Sequence, residues 1–328
     1  AASDVYKRQK FIVQNDLCVG CGLCVDACSM EILEMDERVS VMRNADKCIE
    51  CGGCVRACPK GAITVSNVSA PQKKRAIRTG RQRQMKAGSN AGDSPILVQL
   101  LDQLSELNPV QQKSWRGADI TRLESLIVEG HRSSVRCYQA NKLEKIGTAC
   151  MNFHGLMTAS IVTAAPGPEY DIPYYGIDWD ESEEHIFFYC DLLPTDDPLR
   201  NADYLQNYLY TPLEEHYLTY RNMPGLKNNV YHWARAMFSP YVLTGTIDKS
   251  NHKAIDMLYN CTADYLRSWI ELWESATSLD PNSDYMKLVQ ARRGNISQIL
   301  HANDPGGPPM VKLIGKESAQ IALEIALP

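Results

Sequence analysis

Eight of the twelve cysteines in this chain fall into two runs with the same spacing. Each run reads C-x2-C-x2-C-x3-C, and the eight residues are Cys18, Cys21, Cys24, Cys28, Cys48, Cys51, Cys54 and Cys58. Three closely spaced thiolates followed by a fourth are typical of a backbone wrapped around a cubane iron–sulfur cluster. Zinc sites use C-x2-C pairs, which do not account for a four-cysteine run that occurs twice. The sequence therefore predicts two [4Fe–4S] clusters and single-electron chemistry near the start of the chain.

The two runs form an internal repeat with a period of 30 residues within residues 10–66. We predict short strands at Phe11–Val13 and Val39–Met42, and each half is too short to form a core without its cluster. This segment resembles the bacterial-type two-cluster ferredoxins over its whole length. The resemblance implies that the fourth cysteine of each run binds the other cluster. One cluster then has the ligands Cys18, Cys21, Cys24 and Cys58, and the other has Cys48, Cys51, Cys54 and Cys28.

The charge of the chain is unevenly distributed. The net charge is −5, yet residues 71–93 carry seven basic side chains and one acidic one. We predict a basic, flexible linker at residues 67–94, which either only keeps the chain in solution or docks against an acidic face of a flanking domain. Because the rest of the chain is strongly acidic, we expect no nucleic-acid binding. No apolar run approaches the ~20 residues of a membrane span, so no membrane partner is expected.

The first residues and the remaining cysteines bear on the cellular compartment. The stretch Asp4 to Gln9 resembles a translated sequencing-library adapter, so we exclude residues 1–9 from the fold and expect a truncated N-terminus. The other four cysteines occur singly and are expected to be buried small hydrophobes: Cys137, Cys150, Cys190 and Cys261. Because cluster assembly needs reduced thiols, we predict the cytoplasm, or the plastid stroma in a eukaryote.

From residue 95 onward the sequence predicts a second domain with strands between helices. Ser94 and Pro95 are typical of a helix N-cap and first turn. Apolar, β-rich runs broken by proline and glycine indicate antiparallel strands between residues 145 and 193. The further predicted segments are a helix at Ala118–Glu129, a strand at Ile186–Leu193, helices at 199–221, 226–239, 251–277 and 283–301, and a last element at Met310–Leu327. This order predicts the α+β class with a layered sheet.

Two segments of this domain carry candidate acids. Pro168 to Asp178 reads PEYDIPYYGID, and its last residue is an acid among apolar neighbours. If Asp178 is buried, its pKa rises and it can donate a proton near neutral pH. Residue type alone favours a solvent-facing strand or turn aspartate, and Asp171 fits a turn better. Asn303-Asp304-Pro305 likewise indicates no more than a turn by itself.

Taken together, these segments resemble the ferredoxin-dependent bilin reductases over residues 95–328. The matching motifs are Pro168 to Asp178, Asp304 through Gly315-Lys316-Glu317, and Phe238-Ser239-Pro240-Tyr241 between them. The resemblance implies an α/β/α sandwich with a central antiparallel sheet. It also implies reduction of an open-chain tetrapyrrole, usually biliverdin IXα, by proton-coupled single-electron steps without flavin or metal in this domain. Asp178 and Asp304 then supply protons, and Asn303 lies near the substrate.

The sequence departs from one branch of that family. Members that make phycocyanobilin carry a histidine on the preceding strand and a glutamate upstream, where a gap-free alignment places Ile161 and Ala149. His154 could replace the histidine only after a shift. These departures favour 15,16-dihydrobiliverdin, phycoerythrobilin or a phytochromobilin-like product. Candidate cations for the bilin propionates, by position alone, are Arg235, Arg292 and Arg293.

The implied partners are a biliverdin-type substrate and an upstream electron donor, either a ferredoxin reductase or a photosystem, with heme oxygenase as a further candidate. No dinucleotide motif follows a predicted strand. Two other functions stay open at this point. One is reduction of another tetrapyrrole, as in the red chlorophyll catabolite reductases, and the other is a bilin-binding or electron-carrier protein without turnover.

Overall fold

A computed structural model describes residues 11–26, 32–43, 53–65, 92–228 and 233–328. The chain divides into two compact units, Ala1–Arg83 and Gln84–Pro328. Predicted features at residues 1–10, at 66–91, and at Cys28, Cys48 and Cys51 lie outside the described residues. Within the described ranges, no helix is both long and apolar enough to cross a membrane.

The first unit consists of short strands and single helical turns. Its described elements are β1 (Phe11–Val13), α1 (Leu23–Asp26), β2 (Leu33–Asp36), β3 (Val39–Met42), α2 (Gly53–Arg56) and β4 (Ile63–Val65). The strands pair antiparallel, β1 with β4 and β2 with β3. The strands expected at both predicted positions are confirmed. The core contains few side chains, chiefly Ile32, Leu33, Val55, Ile63 and Val65.

The second unit is built on a large antiparallel sheet. Its strands are β5 (Val110–Gln111), β6 (Ser114–Trp115), β7 (Ala118–Asp119), β8 (Leu126–Val128), β9 (His131–Gln139), β10 (Leu143–Phe153), β11 (Met157–Pro166), β12 (Tyr174–Ser182), β13 (His185–Leu193) and β14 (Leu243–Asp248). The sheet runs β14-β13-β12-β11-β10-β9-β5, with β8 paired to β9. Successive strands are neighbours from β9 to β13, which confirms the predicted antiparallel pairing.

Helices cover both faces of this sheet. They are α3 (Pro95–Leu104), α4 (Ala202–Tyr204), α5 (Thr211–Tyr220), α6 (His252–Ser275), α7 (Asp284–Asn303), α8 (Gly307–Ile314) and α9 (Lys316–Ala326). α3, α5 and α6 pack on one face in the main apolar core, and α9 packs on the other face against β9 to β11. α7 joins a separate cluster around Tyr174 and Leu193. The α+β class and the α/β/α sandwich are therefore confirmed.

Local sequence explains how two of these helices meet the sheet. Ser94 caps α3 by accepting a hydrogen bond from the Leu97 N–H, and its hydroxyl also lies 2.7 Å from the Ser160 hydroxyl on β11. Gly147 on β10 lets the α9 backbone approach closely, because a Cβ there would lie 1.7 Å from the Ile325 carbonyl oxygen.

Two predicted helices and the last predicted element differ in the structure. Ala118–Glu129 is not a helix but contains β7, a 3-10 turn and β8, because its apolar residues pack beneath β9 and α9 rather than along one helical stripe. The described part of 226–239 forms turns and an isolated bridge at Lys227, and Pro240 ends the segment. Met310–Leu327 is split between α8 and α9 by Gly315, which has a φ of 81°.

Other predictions agree with the structure more closely. The predicted helix at 199–221 corresponds to α4, a π-helical segment at Leu205–Tyr210, and α5. The four solitary cysteines are all buried, as expected. Asp93, counted above with the basic linker, forms a buried ion pair with Arg136 on β9 at 2.5 Å. The backbone from Gly92 onward therefore belongs to the packed second unit.

Candidate active site

The described part of the first unit contains a cavity lined by thiols. Cys18, Cys21, Cys24 and Cys58 all line it, together with the buried Ser40 hydroxyl. These are the four residues that the resemblance assigns to one cluster. The Ala62 N–H also donates to the Cys58 sulfur at 3.2 Å, a contact of the kind that iron-bound sulfurs accept.

This donor set fits a cluster better than a single metal ion. Among the described residues, no group of three cysteine, histidine or acidic side chains is arranged to hold one ion. In a cubane each thiolate binds a different iron, so its ligand sulfurs need not converge on one point. Of the second predicted ligand set, only Cys54 lies within the described residues.

In the second unit, the sheet face that carries α9 also carries the central acid. Asp178 lies on β12 directly opposite Tyr189 on β13 and Ile161 on β11. Its Oδ1 atom is buried and has no hydrogen-bond partner in the described part of the chain. A buried carboxylate oxygen without a donor is costly, so the protonated form of Asp178 is favoured.

Two further carboxyl groups surround Asp178. Asp180 follows it by two residues on β12, so the alternation of the strand places both side chains on one face. Asp304 is the C-cap residue of α7 and accepts a hydrogen bond from the Gly306 N–H at 2.8 Å. The turn that the sequence predicted at Asn303-Asp304-Pro305 is thus the feature that brings Asp304 to the sheet.

The pKa values of all three acids are shifted in the same direction. Burial raises the pKa of Asp178 well above its usual range, and the negative charges of Asp180 and Asp304 raise it further. Burial and the Asp304 charge raise the pKa of Asp180 to about 6. Burial also raises the pKa of Asp304, although the Gly306 N–H and His301 act against this. All three shifts favour the protonated carboxyl, the form that a proton donor requires.

Side chains of β13 flank Asp178 and contact the segment that carries Phe238. Tyr189 lies against Phe238, with ring centroids 5.4 Å apart. Burial, followed by the Asp178 and Asp304 charges, raises the pKa of Tyr189 above its usual range, so its hydroxyl stays protonated. Asp191, also on β13, accepts hydrogen bonds from the Ser239 N–H and hydroxyl and so fixes the segment that carries Phe238.

The positions that distinguish the phycocyanobilin branch fall in the same row as Asp178. Ala149 on β10 pairs with Ile161, and Ile161 pairs with Asp178. Both side chains are buried and apolar. The register of β10 and β11 is regular across this row, so His154 is not shifted into it. His154 lies at the far hairpin turn, where it is exposed and contacts Glu129.

The four predicted substrate-binding residues have different surroundings in the structure. Arg235 is exposed, and Arg292 uses its Nε to bind the Pro194 carbonyl oxygen at 2.9 Å. Arg293 is buried and bonded to Tyr174, Glu144 and the carbonyl oxygens of residues 166 and 167. Asn303 is exposed, and its amide caps the Ile299 carbonyl oxygen. Arg293 therefore ties α7 to the sheet.

Sequence reasoning missed three polar residues of this region. Asp180 was visible in principle, because alternation along a strand places residues i and i+2 on one face. Tyr189 and Asp191 had no local signal, because only the pairing of β12 with β13 places them beside Asp178. Asp171 is not a solvent-facing turn residue: it is buried and accepts hydrogen bonds from Tyr208 at 3.0 Å and Tyr285 at 2.7 Å.

Comparisons with known proteins agree with this arrangement. The sequence profile of the ferredoxin-dependent bilin reductases matches residues 106–321, and that of the 4Fe-4S dicluster domain matches residues 17–62. Among solved structures, the chain is similar to phytochromobilin synthase from tomato in complex with biliverdin, with 18% sequence identity and a TM-score of 0.59. That similarity covers 68% of this chain and 78% of the other, and it shows a common fold. No curated protein sequence matches the chain.

Proposed function

Because the chain belongs to the ferredoxin-dependent bilin reductase family, we propose that it reduces biliverdin IXα in single-electron steps, each followed by protonation from Asp178 or Asp304. Bilin reduction makes the chain an oxidoreductase, so a carrier role without turnover is set aside. Beyond family membership, the proposal names the substrate and the residues that deliver protons to it.

The observation that carries the proposal is the buried, unpartnered Oδ1 of Asp178 on the sheet face that carries α9. Its protonated carboxyl is a ready donor to a substrate that gains negative charge with each electron. Asp304 approaches from the end of α7 and adds its own raised pKa. Two acids with raised pKa values on different elements can serve two positions along an extended tetrapyrrole.

The apolar row beside Asp178 supports the choice of product. A reaction that needs a histidine and a glutamate next to the central aspartate has no equivalent side chains at Ile161 and Ala149. Proton delivery by the aspartates alone supports 15,16-dihydrobiliverdin or phycoerythrobilin as the product. A two-electron reduction consumes two protons, and a four-electron reduction consumes four.

The first unit is proposed to hold two [4Fe–4S] clusters on its eight cysteines. When bound, such clusters supply single electrons. Cys18, Cys21, Cys24 and Cys58 already share one cavity, which fits one ligand set. Tethering an electron carrier to its acceptor raises its effective concentration to order mM for a short flexible linker. An outside donor, a ferredoxin reductase or a photosystem, is still needed.

The bilin propionates require cations at the edge of the site. Arg293 is unsuited, because its guanidinium is already bound within the fold. Arg235 and Arg292 keep nitrogens available for a carboxylate, and Arg is the preferred partner for such bidentate contacts. We therefore retain these two residues, with the exposed Asn303, as proposed substrate contacts.

Anaerobic turnover of biliverdin by the full chain tests the proposal. The assay supplies NADPH and a ferredoxin reductase, adds no separate ferredoxin, and identifies the product by absorbance and chromatography. We expect biliverdin to be consumed and a dihydrobiliverdin or phycoerythrobilin to form. Consumption of a red chlorophyll catabolite, with biliverdin left unchanged, would favour the other reductase instead.

A shortened chain tests the supply of electrons separately. Deletion of residues 1–91 preserves the ion pair of Asp93 with Arg136 and removes the cysteine runs. At low protein concentration this variant should be inactive without added ferredoxin, and an excess of ferredoxin should restore turnover. Equal activity of the two chains without ferredoxin would show that the first unit is not the electron source.

A further inference from the structure

The third acid of the site, Asp180, lies between Asp178, whose Oδ1 atom is buried, and the end of strand β12. Exposure increases along the strand, from Ile177, which is fully buried, to Glu183 in the exposed turn. Asp178 and Asp180 point to the same face because they are two residues apart. A carboxyl group at Asp180 is therefore closer to the solvent end of the strand than Asp178 is.

The neighbours of Asp180 on this face do not neutralise it. Its cross-strand partners are Phe187 on β13 and Ala159 on β11, and both are apolar. Within the described part of the chain, its carboxyl accepts no side-chain or backbone hydrogen bond. Lys249, at the same end of the sheet, is already paired with Glu181 at 2.7 Å.

Two titratable groups act on Asp180 or are acted on by it, Asp178 on the same strand and Asp304 at the end of α7. These two carboxyl groups in turn face Tyr189 on β13, and Asp304 also faces His301 on α7. Burial and the Asp304 charge place the pKa of Asp180 at about 6. Burial and the Asp180 and Asp304 charges raise the pKa of Asp178 well above its usual range, so an ionised Asp178 is a strong acceptor for a proton.

We propose that Asp180 is the positioning residue that returns a proton to Asp178 after each protonation of the substrate. This inference rests on the proposed function, since it explains how one buried acid serves more than one step. Asp178 needs such a source because its Oδ1 is buried and no other described side chain donates to it. Asp180 acts through Asp178 and does not contact the bilin.

Protons and electrons balance over one cycle. The substrate receives one electron from a one-electron donor and one proton from the Asp178 carboxyl, whose O–H bond breaks. The Asp178 carboxylate then takes the proton of the Asp180 carboxyl. Asp180 is left ionised at the more accessible end of the strand, and it takes a proton from water. The net change is one electron and one solvent proton added to the substrate.

The test compares Asp180→Asn with the full wild-type chain in anaerobic single-turnover reduction of bound biliverdin. The first protonation should keep its wild-type rate, because Asp178 starts out protonated. The next protonation should slow by about tenfold or more, the scale of lost acid–base assistance. The wild-type rate of that later step should fall as the pH rises through about 6, and this dependence should be lost in the variant.

Two further variants separate a proton role from a structural one. Asp180→Glu retains a carboxyl group and should restore the later step and its pH dependence. Glu181→Gln removes a charge one residue away, on the opposite face of β12, and should leave both unchanged. Bilin binding, followed by absorbance, should be equal in all four proteins.

Several results would overturn the inference. They are a wild-type rate and pH profile in Asp180→Asn, a first protonation slowed as much as the second, or the same defect in Glu181→Gln. If the wild type leaves biliverdin unreduced, the proposed function itself fails. If Asp180→Asn does not fold, Asp180→Glu tests the inference instead. Loss of the pH-dependent later protonation in Asp180→Glu would then overturn it.

Discussion

Strand β12 has two faces that are built in opposite ways. Tyr175, Ile177 and Trp179 point to the α3 and α6 side, where each is at most 1% exposed within the main core. Gly176, Asp178 and Asp180 alternate with them and point to the other side. One strand therefore carries a dense apolar face and a face with two carboxyl groups.

The difference shows how the fold divides its tasks. The apolar face supplies stability, because burial of large side chains is the main favourable contribution to folding. The acidic face reduces stability, since each carboxyl is held away from water with few donors. Such locally unfavourable groups persist at sites whose chemistry needs them. Substitutions on the two faces should therefore affect different quantities.

The largest effect is expected from Asp178→Asn. This variant keeps the shape of the side chain and removes its proton, so the turnover of biliverdin should fall by about 10²- to 10⁴-fold. Bilin binding should persist, and a radical absorbance should accumulate when the protonation stalls. Since an unpartnered buried acid is removed, thermal unfolding should occur at the same or a higher temperature.

One outcome for Asp178→Asn would contradict this prediction. A loss of activity together with a lower unfolding temperature would mean that Asp178 supports the fold. The two faces of β12 would then not differ in the way proposed. Asp248→Asn on β14, at an exposed position, is the matched control and should change neither quantity.

Trp179→Ala tests the other face. Trp179 is 1% exposed and packs on Tyr259 with ring centroids 4.9 Å apart. Its removal should cost about 3–5 kcal/mol of unfolding free energy, the range for large aromatic residues in a core. Urea denaturation measures this loss. The control Leu199→Ala, at a side chain that is 96% exposed, should change stability by less than about 0.5 kcal/mol.

The sequence predicted the long helices well, because their apolar residues recur with a regular period. α6 and α7 lie within about two residues of their predicted bounds. Ala118–Glu129 was wrong because its apolar residues are spaced for a helix, while tertiary packing under β9 decides the structure. The described part of the 226–239 segment forms turns and a bridge between Lys227 and Thr246, so its tertiary contacts override the helical pattern.

The two candidate sites also differ in how far local sequence predicts their residues. The cysteine ligands were predictable, because a cluster is bound by residues close together in sequence. Asp178 and Asp304 were found only through motifs, since their electrostatic interaction depends on where the fold places the end of α7. Asp191 was missed entirely, because its partner Ser239 is brought to it by the fold and not by any local pattern.

The last effect depends on pH and concerns Asp191, which lies on the acidic face but is fully buried. Burial raises its pKa to about 7, against the opposing hydrogen bonds from Ser239. Because the folded pKa exceeds the unfolded value of 3.8, the protonated form stabilises the fold. This stabilisation is complete below about pH 4, is lost as the pH rises through about 7, and amounts to at most about 4 kcal/mol. Asp191→Asn should flatten the fall in unfolding free energy between about pH 4 and pH 7, whereas the control Asp248→Asn, whose pKa Ser250 lowers, should not. A fall as steep as that of the wild type would place the buried proton on another acid of this face.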